Sequence, residues 1–167
     1  GTLTSLNLSE VNTLTLDGAT TLPDSDADMA ATTDANSQAV TLSGDINLNN
    51  STISNLGTVA VGSNTLTGAA SLLDAKTVTG AGTTAVTDLH LTLAADLSNI
   101  TSTTVTAAFD GDGTFTGDLG TATVTVSAGN TLTTSGTIAA GKTINKGGDG
   151  ALAVTVASGD ATVDLSS

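Results

Sequence analysis

Aliphatic residues return at a nearly constant spacing along this chain. Val40, Val59 and Val78 are each 19 residues apart, and further series keep this interval or miss it by one. Such a repeat is typical of a parallel β-solenoid, in which successive coils, or rungs, stack about 4.8 Å apart. The series are Val40, Val59, Val78 and Leu97; Val86, Val105, Val124, Ile144 and Val163; Ile100, Leu119 and Ile138; and Ile53, Leu72 and Leu91.

Short stretches of alternating apolar and polar residues accompany the repeat. Each predicts a short strand with one buried face, and Gly-, Asn- and Asp-rich turns separate them. Alternation alone fits a sandwich, a barrel or a solenoid, and the repeat favours the solenoid. The stretches are Leu14–Leu16, Val40–Leu42, Ile46–Leu48, Val59–Val61, Leu89–Leu93, Val124–Val126 and Val154–Val156.

The predicted fold is therefore an all-β, single-domain parallel β-solenoid (β-helix) over residues 1–167, with rungs of about 19 residues. Dividing 167 residues by 19 predicts eight to nine rungs. The acidic run that begins at Pro23 breaks the pattern, so residues 23–38 are expected to form a loop or short helix outside the rungs. Leu66–Leu73 is ambiguous between strand and helix. We expect the chain to be a segment of a longer polypeptide.

The composition favours a narrow core. Aromatic residues make up 1% of the chain, Phe109 and Phe115, so the core must be thin enough for aliphatic side chains to fill it. Thr supplies 35 of the 167 residues, and its β-branched side chain suits the surface of strands.

Charge and cysteine content exclude several functions. The net charge is −13, with three lysines and no arginine, which excludes ordinary nucleic-acid binding and argues against docking on anionic lipid. No apolar run approaches the length of a membrane span, so no membrane insertion is predicted. The absence of cysteine excludes disulfides and thiolate metal sites.

Titratable groups suited to catalysis are scarce. The only histidine, His90, is predicted to point outward from a strand, and the only glutamate, Glu10, is predicted to lie on the surface. The chain has no nucleophile elbow and no phosphate-binding glycine loop. The sequence predicts a protein that is not an enzyme.

Two groups of spaced aspartates offer the oxygen ligands that calcium prefers. Solvated turn acids are the alternative interpretation of both groups, and no other cofactor is predicted. The candidate ligands are Asp110, Asp112 and Asp118 in one group and Asp24, Asp26 and Asp28 in the other.

Threonines flank the predicted valine series and would form outward ranks if the rungs stack at 19 residues. Ranks of this kind order water against ice in several antifreeze proteins, whereas threonine that merely fills a strand surface is the alternative. The ranked residues are Thr87, Thr104, Thr106, Thr123, Thr125, Thr143 and Thr162.

Several segments resemble known repeats. Val78–Thr83, Leu91–Leu97 and Ser43–Leu48 are similar to the Thr/Gly/Ala-rich repeats of large bacterial cell-surface adhesins, a likeness of composition over about two thirds of the chain. Gly44–Thr58 resembles a segment of phage tail-fibre shafts, which are intertwined trimers.

The adhesin resemblance implies a secreted, structural or adhesive segment of an extracellular surface protein or filament. We expect homo-oligomers or end-to-end filaments, and a receptor on a host surface, in a matrix or among glycans. The alternatives are a trimeric tail-fibre shaft module and an ice-binding protein that uses threonine ranks.

Overall fold

The computed structural model describes residues 13–16, 20–21, 39–42, 44–49 and 58–157. The predicted excursion at 23–38 lies outside these ranges. So do the candidate calcium ligands Asp24, Asp26 and Asp28, the ranked Thr162, and the series members Ile53 and Val163. The predictions that concern them stay predictions.

The chain forms a parallel β-solenoid with rungs of about 20 residues, as the repeat predicts. Residues 58–157 alone make about five rungs. The strands are β1 (Thr13–Leu16), β2 (Thr20–Thr21), β3 (Ala39–Leu42), β4 (Ile46–Asn47), β5 (Val59–Gly62), β6 (Thr65–Ala69), β7 (Val78–Thr87), β8 (Ile100–Phe109), β9 (Gly113–Phe115), β10 (Thr123–Val126), β11 (Thr131–Ser135), β12 (Ile144–Lys146) and β13 (Ala151–Thr155). Two short helices, α1 (Ala70–Leu73) and α2 (Gly136–Ala139), and a 3-10 turn at Leu89–Leu91 complete the described elements.

The strands stack in three rows, and every pairing between them is parallel. The first row holds β1, β3, β5 and the first halves of β7 and β8. The second row holds β2, β4, β6, the second halves of β7 and β8, then β10 and β12. The third row holds β9, β11 and β13. Backbone hydrogen bonds therefore join each rung to its neighbours, while alternate side chains point into one aliphatic core.

The structure confirms most of one predicted series, whose first three members form a column of buried side chains across the first row. Val40, Val59 and Val78 lie directly opposite one another on β3, β5 and β7. The prediction that Leu97 continues this column is wrong, because Val78 faces Ile100, 22 residues further on. Leu97 instead lies at a corner, where its N–H donates to the carbonyl of Asp118 at 2.8 Å. The rung that leads from β7 to β8 is thus three residues longer than the repeat of 19.

The series through Val86, Val105 and Val124 is wrong in register. Val105 lies opposite Thr84, and the residue between Val86 and Val124 in the column is Ala107. Val124 faces Ile144, as predicted. Val105 and Val124 lie on adjacent parallel strands but are offset by two residues. Because side chains alternate with a period of two, this offset leaves both residues buried, and the solenoid survives the error.

The predicted strand at Leu89–Leu93 is replaced by the 3-10 turn. Asp88 has a left-handed backbone with φ of +54°, which ends β7 and turns the chain before Leu89. Leu89 is buried, but Leu91 is 72% exposed and therefore does not belong to a core series. Alternation of Leu and polar residues is therefore not sufficient to predict a strand here, because the 3-10 turn points Leu91 outward.

A turn with the same geometry occurs twice, 66 residues apart. Asp74, with φ and ψ of −56° and 126°, follows α1, and Ala140, with −57° and 125°, follows α2. The next residue in each copy has positive φ: +54° at Ala75 and +66° at Gly141. The N–H of Lys76 or Lys142 then closes the turn with a 3.1 Å hydrogen bond to the carbonyl three residues earlier. These features define a type II turn.

A glycine is required where β7 runs past the turn between β5 and β6. The Thr83 N–H donates to the Asn64 carbonyl at 3.0 Å, so the two backbones lie against each other. A Cβ added at Gly82 would be 2.0 Å from the Asn64 carbonyl oxygen. Any side chain at this position must therefore push the two rungs apart.

Candidate functional site

The outward side chains of β6, β7, β8 and β10 in the second row form a surface of threonine and alanine, which we call the threonine face. Alternation places these residues outside because their neighbours, including Leu66, Val86 and Val124, are buried. Eight of the eleven members are threonine and three are alanine. The members are Thr65, Thr67 and Ala69 of β6; Thr83, Ala85 and Thr87 of β7; Thr104, Thr106 and Ala108 of β8; and Thr123 and Thr125 of β10. Asn47 of β4 and Asn145 of β12 border the face, opposite Thr67 and Thr125.

Strand register aligns the threonine face into columns. Thr106 lies directly opposite Ala85 on one side and Thr123 on the other. Thr104 lies beside Thr83, and not beside Thr123 as a constant repeat of 19 would place it. Thr125 lies between Ala108 and Asn145. The structure thus brings together Thr106 and Thr123, which the repeat of 19 places in different ranks, and Ala85 and Ala108 interrupt the threonine columns.

Among the residues that the structure describes, most hydroxyls of the threonine face have no hydrogen-bond partner. Thr87 is the exception, because its Oγ1 lies 2.8 Å from Asn49 Oδ1 and 3.0 Å from Asp88 Oδ2. Within the described ranges, the hydroxyls of the other seven threonines have no side-chain or backbone partner. These seven hydroxyls are therefore available for hydrogen bonds with solvent or with a ligand. None of the eleven side chains is charged.

The aspartates predicted to bind calcium do not come together. Asp112 Oδ1 accepts the backbone N–H of Thr131 at 2.7 Å in the following rung. Asp118 Oδ1 accepts the N–H of Gly120 at 2.8 Å and so closes a local turn. Asp110 contacts His90. Two of the three carboxylates thus satisfy backbone donors at corners of the solenoid, and calcium binding here stays a prediction.

Asp110 instead belongs to a cluster with Asp88 and His90, which sequence reasoning missed. One potential ligand atom from each residue lies within 4.8 Å of the other two. His90 Nδ1 is 2.6 Å from Asp110 Oδ1, off the line of a hydrogen bond, so the contact is an ion pair when the imidazole is protonated. His90 is about one-fifth exposed and Asp110 is 41% exposed. No spacing in the sequence indicates this cluster, because it depends on the 3-10 turn.

The imidazole ring of His90 packs closely against its neighbours. Its ring meets Phe109 edge to face, with centroids 6.3 Å apart. A Cβ at Gly111 would lie 2.3 Å from His90 Cδ2, so the imidazole fills the space that this glycine leaves. One imidazole and two carboxylates are a donor set that divalent transition metals accept. The ion pair and the packing account for the contacts seen, and they carry no metal assignment on their own.

A cleft of about 320 Å³ separates α2 from the corner at Asp118. Lys142 and Asp118 are the charged residues that line it. The Lys142 ammonium donates to the carbonyl of Gly120, and Asp118 accepts from the N–H of the same residue. Both side chains therefore stabilise the corner at Asp118.

No family model, curated protein or solved structure matches this chain. Over the residues that the structure describes, no helix has the length and apolar character to cross a membrane. The function is therefore argued from the geometry of the solenoid and its surfaces.

Proposed function

We propose that this chain is a non-catalytic structural segment of an extracellular surface protein or filament, of the adhesin type. The observation that carries the proposal is the second row, in which seven strands from β2 to β12 pair in one continuous parallel ladder. Each rung supplies two edges of backbone donors and acceptors, so a chain of this design can be lengthened by adding rungs. Such modular growth suits a stalk or a fibre.

The interior supports a mechanical role. The core is one aliphatic cluster that runs from Val40 to Leu132, and both phenylalanines lie within it. Rungs gain stability mainly from their neighbours, so the array resists local opening except at its ends. Exposed strand edges at the ends need a cap or a further copy, which favours end-to-end assembly into a filament.

The charge supports an exposed, soluble surface. Several acids lie at the corners of the rungs, among them Asp45, Asp74, Asp96 and Asp118, and the net charge is −13. Parallel rods with this charge repel one another and stay dispersed. Any receptor, whether a host surface, a matrix protein or a glycan, would be held by the parts of the parent protein that the rod projects.

Immunogold labelling of the cells that produce the protein tests the location. Antibodies raised against the folded chain should label intact, non-permeabilised cells, and external protease should remove the label. An antibody against a cytoplasmic protein, which should label only permeabilised cells, is the control. Labelling that requires permeabilisation would reject an extracellular stalk.

Light scattering after size-exclusion chromatography separates the stalk from the tail-fibre alternative. The core of the described rungs is closed within one chain, so we expect a monomer at low concentration and linear assemblies as the concentration rises. A stable trimer at all concentrations would favour the tail-fibre shaft instead.

A further inference from the structure

We propose that the threonine face binds ice, an activity that goes beyond the structural role of the solenoid. The face is an uncharged sheet surface whose side chains are regularly spaced. Its partner must therefore be uncharged, able to form hydrogen bonds, and periodic. Four properties select crystalline water: the lattice of side chains, the unpaired hydroxyls, the absence of charge and aromatic groups, and the small area.

The first property is a two-dimensional lattice. Sheet geometry places equivalent residues about 4.8 Å apart between rungs and alternate residues of one strand about 6.7 Å apart. The threonine face repeats these spacings over four rungs and up to three columns. Only a ligand that is itself periodic meets every rung in the same way.

The second property is the state of the hydroxyls. Seven threonines of the face have hydroxyls without a partner in the described part of the chain, among them Thr67, Thr83, Thr106, Thr123 and Thr125. β-branched side chains are stiff at χ1, so strand packing holds these hydroxyls and methyls in few orientations. A surface of ordered hydroxyls and methyls positions water molecules without having to immobilise flexible side chains first.

The third property excludes other partners. A face without charge in a chain of net charge −13 gives no electrostatic anchor to a charged macromolecule, and the acidic corners around it repel anionic surfaces. Sugar rings commonly bind on aromatic side chains, but Phe109 and Phe115 are both buried. Of the partners considered, a neutral solid that forms hydrogen bonds, such as ice, fits the threonine face best.

The fourth property argues against a second copy of the chain as the occupant. Four rungs and three columns at sheet spacings cover about 400 Å², whereas stable protein interfaces bury about 800 Å² on each partner. The hydroxyl-rich face also lacks the apolar centre that such interfaces need. An ice crystal, in contrast, is held by many weak contacts that act together.

Fluorescently labelled full chain, frozen slowly with a polycrystalline ice hemisphere, tests the proposal. We expect the chain to be incorporated on defined planes of the ice and to produce thermal hysteresis in a nanolitre osmometer. Thr106→Tyr and Thr123→Tyr, at adjacent positions of the central column, should each abolish most of both signals. Thr114→Tyr is the matched control, because Thr114 is an exposed residue of β9 in the third row, and it should leave both signals unchanged.

Circular dichroism spectra and melting temperatures must show that all three variants fold, and Thr123→Ser adds a variant with the smallest steric change. Absence of hysteresis and of ice incorporation in the wild type would overturn the proposal. Equal loss in Thr114→Tyr would overturn it too, as would binding of the wild type to insoluble neutral polysaccharide without any effect on ice. The cell-surface experiment is independent of each of these outcomes.

Discussion

The hydroxyls of Thr84 and Ser102 meet at 2.7 Å inside the solenoid, on adjacent rungs. Thr84 is fully buried between Leu66 and Val105 in its core column, and Ser102 is 5% exposed. The pair places two polar groups in an aliphatic interior. Each satisfies the other, so burial costs little as long as both are present.

The two single deletions of this pair should differ in cost. Ser102→Ala leaves the Thr84 hydroxyl buried without a partner, and we expect a loss of about 1–3 kcal/mol in the free energy of unfolding. Thr84→Val should cost less, because the Ser102 hydroxyl keeps the Thr104 carbonyl at 3.3 Å. Urea denaturation measures both.

The double variant is the control for that experiment. Thr84→Val combined with Ser102→Ala removes both hydroxyls, so it should be more stable than the sum of the single losses predicts. Additive losses would show that the two hydroxyls do not depend on each other.

The repeated type II turn predicts a stabilising substitution. Ala75 and Gly141 occupy the same left-handed position, where a Cβ costs roughly 1–2 kcal/mol in strain and glycine loses roughly 0.5–1 kcal/mol in backbone entropy. Ala75→Gly should therefore raise the free energy of unfolding slightly, by up to about 1 kcal/mol. Gly141→Ala should lower it by a similar amount, although a Cβ there meets open space. Destabilisation by Ala75→Gly would show that the left-handed strain is not significant.

Asp112 provides a test that separates a structural role from calcium binding. Asp112→Ala leaves the Thr131 N–H without its acceptor and should cost about 0.5–1.5 kcal/mol of unfolding free energy. Asp112→Asn keeps an oxygen acceptor and should cost less. A melting temperature of the wild type that is the same in calcium and in chelator would show that the role of Asp112 is structural alone. A calcium-dependent rise that Asp112→Asn abolishes would identify the loop as a calcium site.

Asp96 links stability to pH at one corner. The hydroxyl of Ser98 and, after it, the Ser98 N–H stabilise the charged carboxylate and lower the pKa of Asp96 below its ordinary value of 3.8. The charged Asp96 therefore adds its full contribution to the free energy of unfolding above pH 3.8, where it is ionised in both the folded and the unfolded chain. This contribution is lost as the pH falls through the lowered pKa of the folded state. Ser98→Ala should raise the pKa of Asp96 in a carbon-13 NMR titration.

Ser98→Thr is the control for this titration, because it keeps a hydroxyl and should leave the pKa low. If Ser98→Ala titrates like the wild type, the hydroxyl contributes nothing and only the backbone donor acts. The titration is read at the Asp96 carboxyl carbon, so it does not depend on global unfolding.

The sequence predicts some elements well and others badly for identifiable reasons. Val40, Val59 and Val78 could be placed opposite one another because the intervening rungs both contain 19 residues. The step from Ala107 to Val124 is 17 residues, and the step from Val78 to Ile100 is 22. A constant interval of 19 residues cannot predict both of these steps. The Asp88, His90 and Asp110 cluster was missed because it depends on the 3-10 turn at Leu89–Leu91, which replaces a predicted strand.

The sequence by itself determined that this protein is a stack of short parallel strands around a thin aliphatic core. Alternation and turn residues predict many short strands, the approximate repeat favours stacking them in parallel, and a slip of two residues does not change which side chains are buried. Only the tertiary structure decided the register. Neighbours across a sheet depend on the length of every intervening loop, and those lengths place Thr106 beside Thr123, Thr84 beside Val105, and His90 beside Asp110.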